Sequence, residues 1–208
     1  MGKITALRET KRHGRVNVYL DGRFALSLSA DLVSSEGLQH NRVLTDDEID
    51  SLSRSDRYQR CLIAATDFLA YRPRSISELR TKLERRGFDP ETQTRVLESL
   101  KAKGLLDDAA FAQFWTENRE SFSPRSRLLT RIELQKKGIA RQDIERAIGS
   151  IDETDSAYRA ASSRVKSMRW SDRQQFRRRL GAYLQRRGFG YEVIAPTLEK
   201  IWKDLETK

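Results

Sequence analysis

Three consecutive arginines, Arg177-Arg178-Arg179, and three basic pairs, Arg85-Arg86, Lys136-Lys137 and Arg186-Arg187, are the densest chemistry in this 208-residue chain. Each guanidinium presents a planar fork of donors that matches a phosphate or a carboxylate two bonds at a time. Three adjacent arginines on a helix spread around much of a turn and repel one another, so phosphate contact accounts for the triplet better than structure does. The pairs have two compatible readings. One is positive charge at a helix C-terminus, worth about 0.3–1 kcal/mol against the helix dipole; the other is contact with an anionic partner. Arg74 and Arg125 each follow a proline and precede a serine, at expected helix N-termini where anions are favoured.

Little else in the chain points to catalysis. His13 and His40 are the only histidines, both in polar surroundings, and no glycine-rich phosphate loop or metal-ligand spacing occurs. Cys61, in Cys-Leu-Ile-Ala-Ala, reads as a small buried hydrophobe. Asp107-Asp108 reads as a helix start, with Asp108 as the cap, and not as a metal pair. Trp115, Trp170 and Trp202 read as packing residues before base-stacking platforms. The expectation is a non-enzymatic protein without cofactor or metal.

The elements that carry these cations repeat. Gly87, Gly138 and Gly188 each follow a basic pair, are followed by Phe88, Ile139 and Phe189, and stand four residues after Leu83, Leu134 and Leu184. Upstream, Pro73-Arg74-Ser75 and Pro124-Arg125-Ser126 hold the same distance from their glycines; the third copy has Trp170-Ser171-Asp172 instead. Proline disfavours helix just before it and serine caps the helix that follows. The basic pair then closes the helix, and glycine takes the left-handed position of a Schellman ending. With further helices expected over 58–71, about 109–122 and about 157–168, the pattern is three helices per ~50 residues, three times over, in an extended array.

A different period precedes this array. Val16, Val18 and Leu20, then Phe24, Leu26 and Leu28, alternate with other residues around Asp21-Gly22, a hairpin of two strands. Ile4–Leu7 reads as a third strand, and Ala30–Ser34 as a short helical piece. Thr45 and Glu48 fit a capping box for a helix running through Leu52. Residues 1–56 hold eight basic against nine acidic residues, whereas 57–208 hold thirty-two against twenty-one. That shift divides the chain into an N-terminal β-hairpin module (1–56) and three-helix repeats over 57–108, 109–152 and 153–208. The net charge of +10 points to an anionic partner. No apolar run approaches the ~18 residues of a membrane span, and MGKITALRETKR lacks the apolar core of a signal peptide, so the expectation is a cytoplasmic protein with no membrane contact.

The ordered set of motifs resembles the RecX family, bacterial regulators of the recombinase RecA. The resemblance rests on Ser77-Glu78-Leu79, Lys82-Leu83 and Gly87-Phe88; on Gly104-Leu105-Leu106-Asp107-Asp108-Ala109-Ala110-Phe111-Ala112-Gln113-Phe114-Trp115 with Arg119; on Arg127-Leu128, Glu133-Leu134 and Lys136-Lys137-Gly138-Ile139; and on Leu184, Arg187-Gly188-Phe189, Ile194 and Leu198. It spans about 57–205, and the N-terminal hairpin is similar to an extension found in part of the family. Thr130 departs from the pattern, standing where the other repeats have Leu79 and Leu180. The resemblance implies a mainly α, monomeric protein. Such a protein binds the RecA filament on single-stranded DNA, by lying in its groove or capping its end, and suppresses ATPase and strand exchange. Bare DNA binding is then weak and non-specific. The alternative reading is a sequence-specific helix-turn-helix protein using one repeat as its DNA-binding unit.

Overall fold

The computed structural model describes residues 1–10 and 14–207; His13 therefore lies outside the described residues. The chain begins with β1 (Gly2–Glu9), β2 (Arg15–Leu20) and β3 (Arg23–Ser29). These join β4 (Val43–Leu44) in an antiparallel sheet of order β3-β2-β1-β4. Asp21 and Gly22 turn β2 into β3 with φ of 48° and 81°, the doubly positive geometry that an Asp-Gly pair accommodates. Helix α1 (Ala30–Ser35) is capped by Ser29, whose hydroxyl accepts from the Leu32 N–H. Alternation along the strands puts Ile4, Val18, Leu26 and Leu28 on one face, where they bury with Leu38, Leu44 and Leu52.

Helix α2 (Asp46–Tyr71) replaces the two helices expected from the sequence. The capping box forms as expected, with Thr45 and Glu48 each satisfying the other's backbone N–H. The helix does not stop near Leu52 and restart at 58; it runs unbroken for 26 residues. Nothing between 46 and 71 breaks it, since the stretch holds neither glycine nor proline. Residue 56, where the composition shifts, is mid-helix. The Asp56 carboxylate is buried and accepts both oxygens' worth of hydrogen bonds from Arg15 Nη1 at 2.9 Å and one from the Ser29 N–H at 2.8 Å. One end of α2 thus packs on the sheet through Ile49 and Leu52. The other end packs on α4 (Pro90–Ala102) and buries Cys61, Ala64 and Ala65.

The rest is helical: α3 (Ile76–Arg85), α4, α5 (Asp108–Phe122), α6 (Arg127–Lys136), α7 (Arg141–Ile148), α8 (Glu153–Val165), α9 (Arg173–Arg186) and α10 (Tyr191–Glu206). Helices α3, α6 and α9 end alike. Phe88, Ile139 and Phe189 donate back to the carbonyls of Leu83, Leu134 and Leu184, and Gly87, Gly138 and Gly188 sit at φ of 81°, 76° and 86°. These are three Schellman endings. Ser75 and Ser126 cap α3 and α6 as read, while Asp172 caps α9. One cap was misplaced: Asp107, not Asp108, caps α5 through the N–H groups of Ala109 and Ala110. Asp108 instead accepts from the Ile76 N–H at the start of α3.

Two compact units result, Met1–Arg72 with Arg80–Lys103, and Pro73–Leu79 with Gly104–Lys208. In the second, Phe111, Leu134, Ile139, Ile144 and Ile148 form one core. Phe176, Leu180, Leu184, Phe189, Ile194 and Leu198 form another. Thr130, on α6, is buried, and its hydroxyl has no hydrogen-bond partner among the described residues. No helix of the described residues is long and apolar enough to cross a membrane.

Candidate functional site

The Schellman ending decides what each basic pair can do. Its first member is the last helical residue and points outward; its second lies beside the turn and folds over a ring. Arg86 lies over Phe68 at 4.8 Å, Lys137 over Trp115 at 4.0 Å and Arg187 over Tyr183 at 4.8 Å. Arg85, Lys136 and Arg186 are exposed, and their side chains make no hydrogen bond or ion pair among the described residues. The pairs thus split into packed and free cations, a division the sequence does not display.

The packed members do more than cover rings. Lys137 Nζ reaches Glu78 Oε1 at 2.7 Å, and its backbone carbonyl accepts from the Ser75 hydroxyl at 2.7 Å. Arg187 Nη1 donates to the Pro124 carbonyl at 2.8 Å and to Ser123 Oγ at 3.1 Å, and its carbonyl accepts from the Ser126 N–H. The turn that closes one helix is therefore docked on the proline-arginine-serine cap that opens another. Contact is so close that a Cβ on Gly138 would lie 2.6 Å from Ser77 Cβ, and one on Gly188 would lie 2.4 Å from Ser126 Oγ. A Cβ on Gly87 would meet nothing within 4 Å.

The arginines beside the caps are also committed inside the protein. Arg74 is buried and engaged. Arg125 pairs with Glu133, which also accepts from Arg119 Nε at 2.8 Å and Trp115 Nε1 at 2.9 Å. The three tryptophans are half-buried packing residues: Trp115 lies near Phe111, and Trp170 and Trp202 flank Phe176 edge-on. Cys61 is fully buried, and burial pushes its thiol up to about 11.

Helix α9 divides its triplet as well. Arg177 and Arg173 share Glu199, at 2.7 Å for Arg173. Arg179 Nη1 donates to the Arg169 carbonyl at 2.7 Å. Arg178 has no hydrogen bond or ion pair within the described residues, and Asp172, held low by the Gln175 N–H that it caps, feels it only as a minor charge. Arg178, Arg179 and Arg186 line a cleft of about 610 Å³ with Arg164, Arg169, Ser167, Met168, Ala182 and Tyr183. Arg164 and Arg169 were not among the residues singled out from sequence. A signal for them exists: between Asp155 and Glu192 the only carboxylate is Asp172. No group of three His, Cys, Asp or Glu side chains that would hold a metal ion occurs among the described residues.

Comparisons with known proteins place the chain among RecX proteins over most of its length. The family model described as "Regulatory protein RecX N-terminal domain" matches residues 2–45, and models of the first, second and third RecX three-helix domains match 61–100, 107–148 and 151–198. A "Regulatory protein RecX" from Clostridium botulinum (strain Eklund 17B / Type B) is 28% identical over 206 residues, covering 96% of each chain. One from Bacillus subtilis (strain 168) is 27% identical over 202 residues, covering 95% of this chain and 76% of that one. Among solved structures, a "Crystal structure of regulatory protein RecX" aligns with a TM-score of 0.64 at 24% identity over 93% of this chain and 97% of that one. RecX from Lactobacillus salivarius aligns at 0.58 and 20% identity over 70% and 97%.

Proposed function

The chain belongs to the RecX family of regulatory proteins, and on that basis we propose that it is a negative modulator of RecA. In this reading a monomer binds the RecA filament on single-stranded DNA, occupying its groove or capping its end, and suppresses ATPase and strand exchange without catalysing a reaction of its own. The observation that carries the proposal is the run of four family domains in order from residue 2 to residue 198. The surface supports it. Arg85, Lys136, Arg178, Arg179 and Arg186 are exposed cations placed on α3, α6 and α9, so contact with a polyanionic filament is spread over the repeats and not concentrated on one recognition helix. We assign the filament contacts to these five and the remaining candidates, Arg74, Arg86, Arg125, Lys137, Arg177 and Arg187, to holding the repeats in shape.

Co-sedimentation tests this. The protein should pellet with RecA filaments on single-stranded DNA, and far less with the same DNA lacking RecA. A DNA site bound ~10³-fold more tightly than random sequence, with no retention on filaments, would replace the proposal with the helix-turn-helix reading.

A further inference from the structure

The cleft beside α9 carries an inference that rests on the filament reading and adds to it a site and a ligand class. We propose that Arg164, Arg169, Arg178, Arg179 and Arg186 form a clamp for the phosphodiester backbone of a nucleic-acid strand, and that the clamp does not read bases. All five line one cleft, and no carboxylate lines it.

Segregation of charge is the first argument. Among the described residues no ion pair involves any of the five, although Arg159, Arg173 and Arg177 on the same two helices are all paired with carboxylates. The carboxylates that reach these helices, Glu120, Asp155 and Glu199, are thus spent on other arginines, and like charges are left lining the cleft. Such an arrangement is unfavourable in the free protein and becomes favourable when an anion enters. Two of the five are already held in place. Arg179 is tied to the Arg169 carbonyl at 2.7 Å, and the Arg164 guanidinium lies 5.6 Å from the centre of the Tyr183 ring.

Hydrogen-bonding capacity then selects the anion. Guanidinium groups donate and do not accept. Two carbonyls beside the cleft are already engaged, that of Arg169 by Arg179 and that of Arg164 by the Ser167 hydroxyl and N–H. A phosphodiester offers acceptors alone and leaves nothing unsatisfied there. An acidic peptide brings a backbone N–H at each residue, and among the lining side chains only the Ser167 and Tyr183 hydroxyls accept, against five guanidinium groups that only donate. Bases find no platform either, because the one ring in the cleft, Tyr183, is occupied by Arg164 and by Arg187 at 4.8 Å. Contact through phosphates alone fixes position and carries no sequence information.

The test uses the full chain and a fluorescent oligo-dT at low salt. Arg164→Gln/Arg178→Gln/Arg186→Gln should weaken binding at least tenfold and flatten the logarithmic salt slope by about 2, at ~0.7 per lost single-strand contact. Arg178→Gln/Arg186→Gln, which removes no intramolecular hydrogen bond, guards against misfolding and should show a smaller loss in the same direction. Arg173→Gln/Arg177→Gln should stay within twofold of wild type. An abasic oligomer of equal length should bind as oligo-dT does, and hexaglutamate or inorganic tripolyphosphate at matched charge should bind at least tenfold more weakly. Wild-type affinity in the triple variant, a marked loss with the abasic oligomer, or equal binding of hexaglutamate or tripolyphosphate would each overturn the clamp. RecA inhibition measured on the same variants separates the two claims. If oligo-dT binding falls as stated while even wild type leaves RecA untouched, the clamp stands and the filament reading fails. If RecA inhibition is intact and oligo-dT binding never depended on these arginines, the filament reading stands and the clamp fails.

Discussion

Replacing Gly87, Gly138 and Gly188 one at a time by alanine should separate backbone strain from docking. All three sit at φ between 76° and 86°, where a side chain costs roughly 1–2 kcal/mol. For Gly87 that is the whole cost, since an added Cβ meets open space. At Gly188 the new Cβ lies 2.4 Å from Ser126 Oγ and 3.0 Å from Leu129 Cβ. That oxygen is held by the Leu129 N–H at 3.1 Å, so swinging it aside sacrifices a cap worth about 1 kcal/mol, and residual overpacking adds about 1–3 kcal/mol. Gly188→Ala should therefore cost about 3–6 kcal/mol against about 1–2 for Gly87→Ala, with Gly138→Ala close to Gly188→Ala because Ser77 Cβ, at 2.6 Å, moves only with its helix. Urea unfolding followed by circular dichroism gives the three values. A double variant sharpens the test. Serine to glycine at a cap costs only a few tenths of a kcal/mol, and Ser126→Gly removes the nearest clashing atom. In Ser126→Gly/Gly188→Ala, about 1 kcal/mol or more of the Gly188→Ala loss should return. Equal losses at all three glycines, or strict additivity in the double variant, would refute the docking account.

Three further outcomes follow from single buried or capping groups. Asp56→Ala should destabilise the N-terminal unit by about 2–3 kcal/mol in urea unfolding, below the usual ~3–5 for a broken buried pair, because Arg15 keeps a side-chain exposure of 23%. Thr130→Val should raise stability by about 1 kcal/mol, since it removes a buried hydroxyl without a partner at nearly constant volume; a loss would mean the hydroxyl is satisfied. Backbone N–H groups hold the carboxyls of Asp89 and Asp172 below their ordinary value of 3.8. Lowered folded-state values stabilise above that value, and the contribution disappears as pH falls through the folded one. Thermal stability should therefore drop below about pH 4, and Asp172→Asn should drop less than wild type over that range.

Much of the fold is legible because it is local. Asp21-Gly22, the Thr45–Glu48 box and the leucine-basic-basic-glycine-apolar endings each fix their geometry within six residues, through φ preference or a neighbouring N–H. The continuity of α2 was not legible because charge composition is no guide to helix breaks, and because the partner that lets Asp56 sit buried mid-helix, Arg15, is 41 residues away. Asp107 and Asp108 are equally good caps by type, and only their placement shows that one serves a distant helix. In the candidate site, sequence identified basic residues but could not sort them. Arg187 and Arg186 are neighbours of one type, yet one closes a junction with a segment 63 residues back and the other faces solvent. Arg164 and Arg169 join the cleft from the preceding helix and loop, so no run of arginines marks them.

The central claim is modulation of RecA, and the single-stranded-DNA-dependent ATPase of RecA tests it most directly. Titrated into preformed filaments under salt conditions where RecA is active, the protein should suppress hydrolysis at well under one molecule per RecA. Unchanged hydrolysis at equimolar protein would contradict the account.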